Sequence, residues 1–397
     1  MKVFIYIGIL LASFSAAAQP NAGPVSKVQY IGASITKGHP AAVIVDNVPL
    51  VHTKQFLPVD KNGSIVGKNN PVVQIDQIFR NISNILKESG SKPDDIIKLN
   101  IYVTETEIMR QVQTLISRKF KAGKAPSLAF AIGKLSKPEA LVAIDAIAVS
   151  NIINDRVNLS RSKSGLEASS AVLPPGPVVY ISGQAANGEL AEATRGTLKQ
   201  LGETLKSLGL SKKDVVQIKT FLTPMSSLNV VRKEFSDYFK DEIMPPLVFV
   251  EWVSANPVVE IELIAASPFR GEKNQIEYIT PPGMMPSPVY SKVAKLNFGK
   301  KVYLSGIYGL NSGNPDSEVN SVFESMADVL KSSGSSFNHL LKATYYVASD
   351  QFSKSLTDLR PKYYDPKRPP AASKAMLKEV GLNGPGISID MIGTVKE

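Results

Sequence analysis

Apolar positions along the chain follow two alternating periods, and the alternation itself recurs. Counting back four, eight and eleven positions from Gly90 gives Leu86, Ile82 and Phe79; from Gly209, Leu205, Leu201 and Leu198; from Gly334, Leu330, Met326 and Phe323. Those offsets trace one stripe of an amphipathic helix, and a glycine followed by polar residues is a helix stop. After each glycine comes a run rich in branched and aromatic residues, at 96–103, 215–222 and 340–347, which predicts a strand. A second amphipathic helix follows, closing on Phe120, on Tyr238 and Phe239, and on Tyr363 and Tyr364. A Pro-containing loop and two further apolar runs complete the pattern, the last at 141–149, 258–266 and 387–395, alternating as strands with one buried face do. Hairpin-like segments at 42–58, 177–188 and 301–313 precede the first helices.

The chain therefore reads as three copies of a β-β-α-β-α-β-β unit repeating about every 120 residues. Segregated elements place each unit in the α+β class, a mixed sheet with two helices on one face. Stretches rich in Ser, Lys, Gly and Pro at 151–173 and 268–288 read as linkers. The units are expected at 26–150, 174–268 and 275–397. Ahead of them, residues 1–18 carry Lys2, an apolar run from Val3 to Ala12 and the small residues Ala16, Ala17 and Ala18, the layout of a cleaved secretory signal. The expected mature chain starts at Gln19, is periplasmic or secreted, and has no membrane association after cleavage.

Composition narrows the chemistry. Zero cysteines in 397 residues exclude disulfides, thiolate nucleophiles and cysteine-held metals. The three histidines, His39, His52 and His339, lack acidic neighbours at ligand spacing, so no metal site is expected. Ser182 and Ser305 have no companion histidine for a nucleophilic triad. The net charge of +10 is spread over all three units with no Arg-rich run and a single tryptophan, Trp252, so no nucleic-acid partner is expected.

Several motifs together resemble the Rid/YjgF family, also called the L-PSP endoribonuclease family: ISGQAANG at 181–188, LSGIYG at 304–309, the run at 90–105, LKATYYV at 341–347, and the closing AIDAIAV and EIELIAA strands. The resemblance implies chorismate-mutase-like α+β domains, here an intramolecular pseudo-trimer able to oligomerise further, with ligand pockets between units. It also implies hydrolysis of reactive enamines and imines, such as 2-aminoacrylate, to a 2-oxo acid and ammonia without a cofactor. The family's carboxylate-binding Arg would fall at Ser127, Leu247 and Ala372, so it is missing from all three units, and the family glutamate at Ala143, Glu260 and Ser388. Only Glu260 is retained, as the candidate catalytic residue. Candidate ligand-binding residues are Ser182, Gly183, Ser305 and Gly306, with Thr53 and Lys54 at the matching place in the first unit. Tyr290 is the one match to a pocket tyrosine, and Lys54 and Lys374 are lysines available to a small anion. The expected function is small-metabolite binding between units without standard 2-aminoacrylate deamination. The alternative is an imine or enamine deaminase using Glu260 and an unusual anion site.

Overall fold

A computed structural model of the protein describes residues 27–34, 36–161, 167–310 and 312–397. The expected export signal lies outside these residues. The first repeat contains β1 (Val28–Ile31), β2 (Ala42–Val45), β3 (Leu50–Thr53), α1 (Pro71–Glu88), β4 (Ile96–Val103), α2 (Thr106–Ser117), β5 (Ser127–Ile132) and β6 (Val142–Val149). The second contains β7 (Asn158–Arg161), β8 (Ala168–Leu173), β9 (Val178–Gln184), α3 (Leu190–Ser207), β10 (Val215–Leu222), α4 (Leu228–Tyr238), β11 (Leu247–Glu251) and β12 (Val259–Ala266). In the third are β13 (Ile276–Ile279), β14 (Val293–Leu296), β15 (Lys301–Leu304), β16 (Ile307–Tyr308), α5 (Pro315–Ser332), β17 (Leu340–Val347), α6 (Asp350–Leu359), β18 (Ala371–Met376) and β19 (Ile387–Thr394).

The helix signals act as their chemistry requires. Asn70 and Asn314 cap α1 and α5 through their side chains, each followed by a proline at the first helical turn. Gly90, Gly209 and Gly334 all adopt φ near +70° (66°, 69° and 67°), and the next residue's N–H bonds back to Leu86, Leu205 and Leu330. That is a Schellman stop, and it favours glycine because the left-handed backbone crowds a Cβ.

Each sheet is mixed, and its composition corrects two expectations. The orders are β5-β4-β6-β3-β8-β7, β11-β10-β12-β9-β14-β13 and β1-β2-β15-β19-β17-β18, with β16 also on β19. The presumed linkers hold strands, β7 and β8 in one and β13 in the other. The expected hairpin at 42–58 does not close: β2 pairs with β15 and β3 with β8. Each two-stranded arm thus joins another repeat's sheet, β1-β2 the third, β7-β8 the first and β13-β14 the second. The exchange is cyclic, and each sheet is completed by a neighbour.

One face of each sheet packs on its own two helices, giving three separate cores. The opposite faces turn inward and meet in a shared core that includes Ile97, Ile147, Tyr180, Val216, Ile264, Tyr303, Leu341 and Ile392. A register irregularity recurs at the start of each central strand, between Ile96 and Lys98, Val215 and Gln217, and Leu340 and Lys342. Beyond it, Lys98, Lys219 and Lys342 join Asp390 and Glu262 around an inward-facing cavity of about 30 Å³. Lys98 Nζ lies 2.7 Å from Asp390 Oδ1, and Lys342 Nζ lies 2.7 Å from Glu262 Oε1. Asp145 accepts from Asn100 Nδ2 at 2.8 Å and from the Tyr102 hydroxyl at 2.7 Å. Around this cavity Lys98, Lys219 and Lys342 thus meet the carboxyl groups of Asp390, Glu262 and Asp145, as buried charge requires. A space of that size admits a water molecule and no metabolite.

Candidate active site

Glu260 lies on β12, whose pairing with β10 sets it opposite Phe221. The same register in the other repeats sets Ala143 opposite Tyr102 and Ser388 opposite Tyr346. The three positions are therefore equivalent, and the carboxyl group is unique to the second repeat. Two residues on, Glu262 shares its face. That face looks inward to the neighbouring repeats, where strand periodicity alone would equally allow solvent.

Glu260 is half-buried, and its Oε1 is buried without a hydrogen-bond partner. It lies against Gly183, where a Cβ would sit 2.0 Å from Oε1. Glycine at this position makes the close approach possible. Burial pushes Glu260 up to about 8; the Ser373 hydroxyl and Lys374 oppose the effect and the like charge of Glu262 adds to it. The third repeat supplies Ser373 beside this face, where Ser373 Oγ donates to Glu262 Oε2 at 2.6 Å.

Gly183, Glu260 and Tyr290 line one open cavity of about 730 Å³, walled by α3 and the 281–285 loop. That is within the range of small-molecule pockets. Gln184, also in the wall, donates to Thr204 Oγ1 at 2.9 Å and leaves Oε1 buried without a partner. Lys292 Nζ donates to the Tyr290 hydroxyl. Ser182 is buried beside Gly183, with its backbone N–H on Lys292 O at 3.0 Å and its Oγ unpartnered.

The remaining candidates fall elsewhere. Ser305 Oγ donates to Pro40 O at 2.7 Å and accepts from Leu128 N at 3.1 Å, while Gly306 N donates to Leu128 O at 2.7 Å. These bonds join the third repeat to the first, and Tyr308 packs on Gly306. Lys54 lies in neither arrangement; its Nζ sits 5.8 Å from the Phe56 ring centroid.

Two alignments from sequence are one residue out in the first repeat. The backbone N–H groups of Lys54, Ser182 and Ser305 make the same bond to an arm strand, to Ser169, Lys292 and Ala41. Lys54 and Gln55, not Thr53 and Lys54, therefore match Ser182 and Gly183. Gln55 stands where the others have glycine, and its Nε2 bonds to Phe249 O at 3.0 Å. Pairing with the central strands likewise aligns Leu128, not Ser127, with Leu247 and Ala372. Lys374 Nζ is held by Ser353 Oγ at 2.6 Å. Sequence reasoning missed Ser373 and Gln184, although each directly neighbours a residue already singled out.

Comparison with known proteins adds to this geometry. The chain matches the family model described as endoribonuclease L-PSP over residues 40–150 and 166–267. Human 2-iminobutanoate/2-iminopropanoate deaminase is 33% identical over 87 residues, covering 21% of this chain and 62% of that protein. The rat protein of the same name is 29% identical over 129 residues, 30% of this chain and 93% of its own. Among solved structures, a Rid-family protein of unknown function from Yersinia pestis, YyfB, shares 22% identity with a TM-score of 0.28, covering 31% of this chain and 99% of its own.

Proposed function

From the premise that the chain belongs to the endoribonuclease L-PSP family, as three tandem Rid-like domains in a pseudo-trimer, we propose that it is a cofactor-independent hydrolase of small imines or enamines with one working site, the Glu260 cavity. The observation that carries this reading is a carboxyl group raised to about 8 in the wall of a metabolite-sized cavity. Such a group is largely protonated at neutral pH and can protonate an enamine carbon or an imine nitrogen. Water then adds to the electrophilic carbon, the C–N bond breaks, and a carbonyl compound and ammonia leave.

The cavity argues against a small 2-imino acid as the preferred substrate. Gly183 faces the third repeat, whose strand carries Ala372 at the position where the resemblance calls for an Arg, and Lys374 is tied to Ser353. A hydrogen bond to a charged group contributes roughly 1.5–3 kcal/mol, so a carboxylate here loses tenfold or more in affinity. The substrate is accordingly an imine or enamine without a carboxylate beside the reacting carbon. A binding-only reading draws on the same missing anchor. Within this proposal the mature chain works outside the cytoplasm, which N-terminal sequencing of the exported protein tests.

Ammonia release tests the activity. An aldimine formed in situ from a primary amine by an amine oxidase should be hydrolysed above the uncatalysed rate, and faster than a 2-imino acid. Saturable binding with no ammonia above background would leave the binding role and end the hydrolase reading.

A further inference from the structure

The cavity that holds Glu260 also holds a lysine for which the proposed chemistry has no use. Lys292 lines the same space of about 730 Å³, half-buried in its wall. Its Nζ donates to the Tyr290 hydroxyl and lies 4.4 Å from the centroid of that ring. These contacts hold the ammonium in place, but a phenol hydroxyl and a ring face bring no full countercharge. Among the described residues no carboxylate makes an ion pair with Lys292, and Glu203, the carboxylate of the α3 wall, is exposed. The ammonium is therefore open to an anion from the cavity.

Strand order fixes how far this cation sits from the acid. Ser182 N donates to Lys292 O at 3.0 Å, so Lys292 runs beside β9 on the side of the arm that carries β14. Glu260 lies on the other side of β9, on β12, with its carboxyl group against Gly183. Neighbouring strands are spaced about 4.8 Å apart, so about 10 Å separates the two backbones. The other arms have Ser169 and Ala41 where this one has Lys292, and the other repeats have Ala143 and Ser388 where the second has Glu260. Acid and cation thus occur together only where the second repeat meets the third.

We propose that Lys292, positioned by Tyr290, is the anion subsite of this cavity, and that the ligand class is an imine or enamine with a carboxylate several bonds away from its C–N group. The inference rests on the reading of Glu260 as the acid of the site and supplies the other end of the substrate. A lysine suits that end: it offers a point charge on a flexible stem and needs no fork geometry. Pro281, Pro282, Met284 and Met285 of the same arm give the cavity apolar surface for the carbon chain between the two ends.

Calorimetric titration of the full chain with stable amides, standing in for the imine, tests the proposal without turnover. Succinamate carries its carboxylate two methylenes from the amide, oxamate carries it directly on the amide, and butanamide has none. The wild type should bind succinamate about tenfold or more tighter than butanamide, and tighter than oxamate. Lys292→Met, which keeps the apolar stem, should remove the preference for succinamate over butanamide, and Lys292→Arg should retain it. Absent or equal binding of succinamate and butanamide, tighter binding of oxamate, or an undiminished preference in Lys292→Met would overturn the proposal. Because the readout needs no turnover, the expected binding in a protein that releases no ammonia would end the hydrolase reading and leave the Lys292 subsite standing.

Discussion

Lys98 Nζ and Asp390 Oδ1 form a 2.7 Å ion pair between residues 292 positions apart in sequence, joining the first repeat to the last in the interior of the molecule. Lys98 is 2% exposed and also donates to Leu304 O at 2.6 Å. Removing one partner leaves the other buried and unpaired, which costs about 3–5 kcal/mol, whereas removing both is often neutral. Lys98→Ala should therefore lower stability in denaturant unfolding by about that amount, and Lys98→Met combined with Asp390→Leu should recover most of it. If the double variant is no more stable than Lys98→Ala, the pair is not the principal interaction at that position.

Gly183→Ala tests the seat of the Glu260 carboxyl. The added Cβ would fall 2.0 Å from Glu260 Oε1, so the carboxyl group must move. Gly183 lacks the positive φ that would make alanine itself strained. The expected result is a folded protein with ammonia release down tenfold or more; wild-type activity in this variant would place the chemistry away from Glu260.

Lys301 gives a pH dependence with a definite sign. It is 1% exposed, and burial pushes it down from 10.5 to about 8. His52 nearby is likewise pushed down to about 3, by burial and by Lys301, and neither of its ring nitrogens has a partner. Between pH 8 and 10.5 the unfolded chain holds the Lys301 proton more tightly than the folded one, so this residue makes stability rise with pH across that window. Below pH 8 its penalty is fully present. Lys301→Met should raise stability at pH 7 by about 1–3 kcal/mol and flatten that part of the profile; equal or lower stability would show that the ammonium finds compensation in the interior.

Much of the fold was legible because its signals are local. The helix stripes ending at Gly90, Gly209 and Gly334 depend on residues a few positions apart, and the strands at 96–103, 215–222 and 340–347 have those bounds in the structure. The arm exchange was not legible, for a physical reason. The four residues 46–49 can turn back or run on, and β2 meets on β15 the antiparallel edge that β3 would have offered. The candidate site was legible to the extent that Glu260, Gly183 and Tyr290, singled out from sequence, share a cavity. It was illegible in Ser373, whose contact with Glu262 spans 111 residues and two repeats. The first-repeat slip arose because Lys54 and Gln55 replace Ser and Gly, leaving only strand pairing to fix the register.

The central claim, that one acid in one cavity does the chemistry, is tested most directly by ammonia release from a carboxylate-free imine, with wild type and Glu260→Gln compared at pH 7. The wild type should exceed the uncatalysed rate, and Glu260→Gln should lose about a hundredfold or more while staying folded. Equal rates in the two proteins would contradict the account.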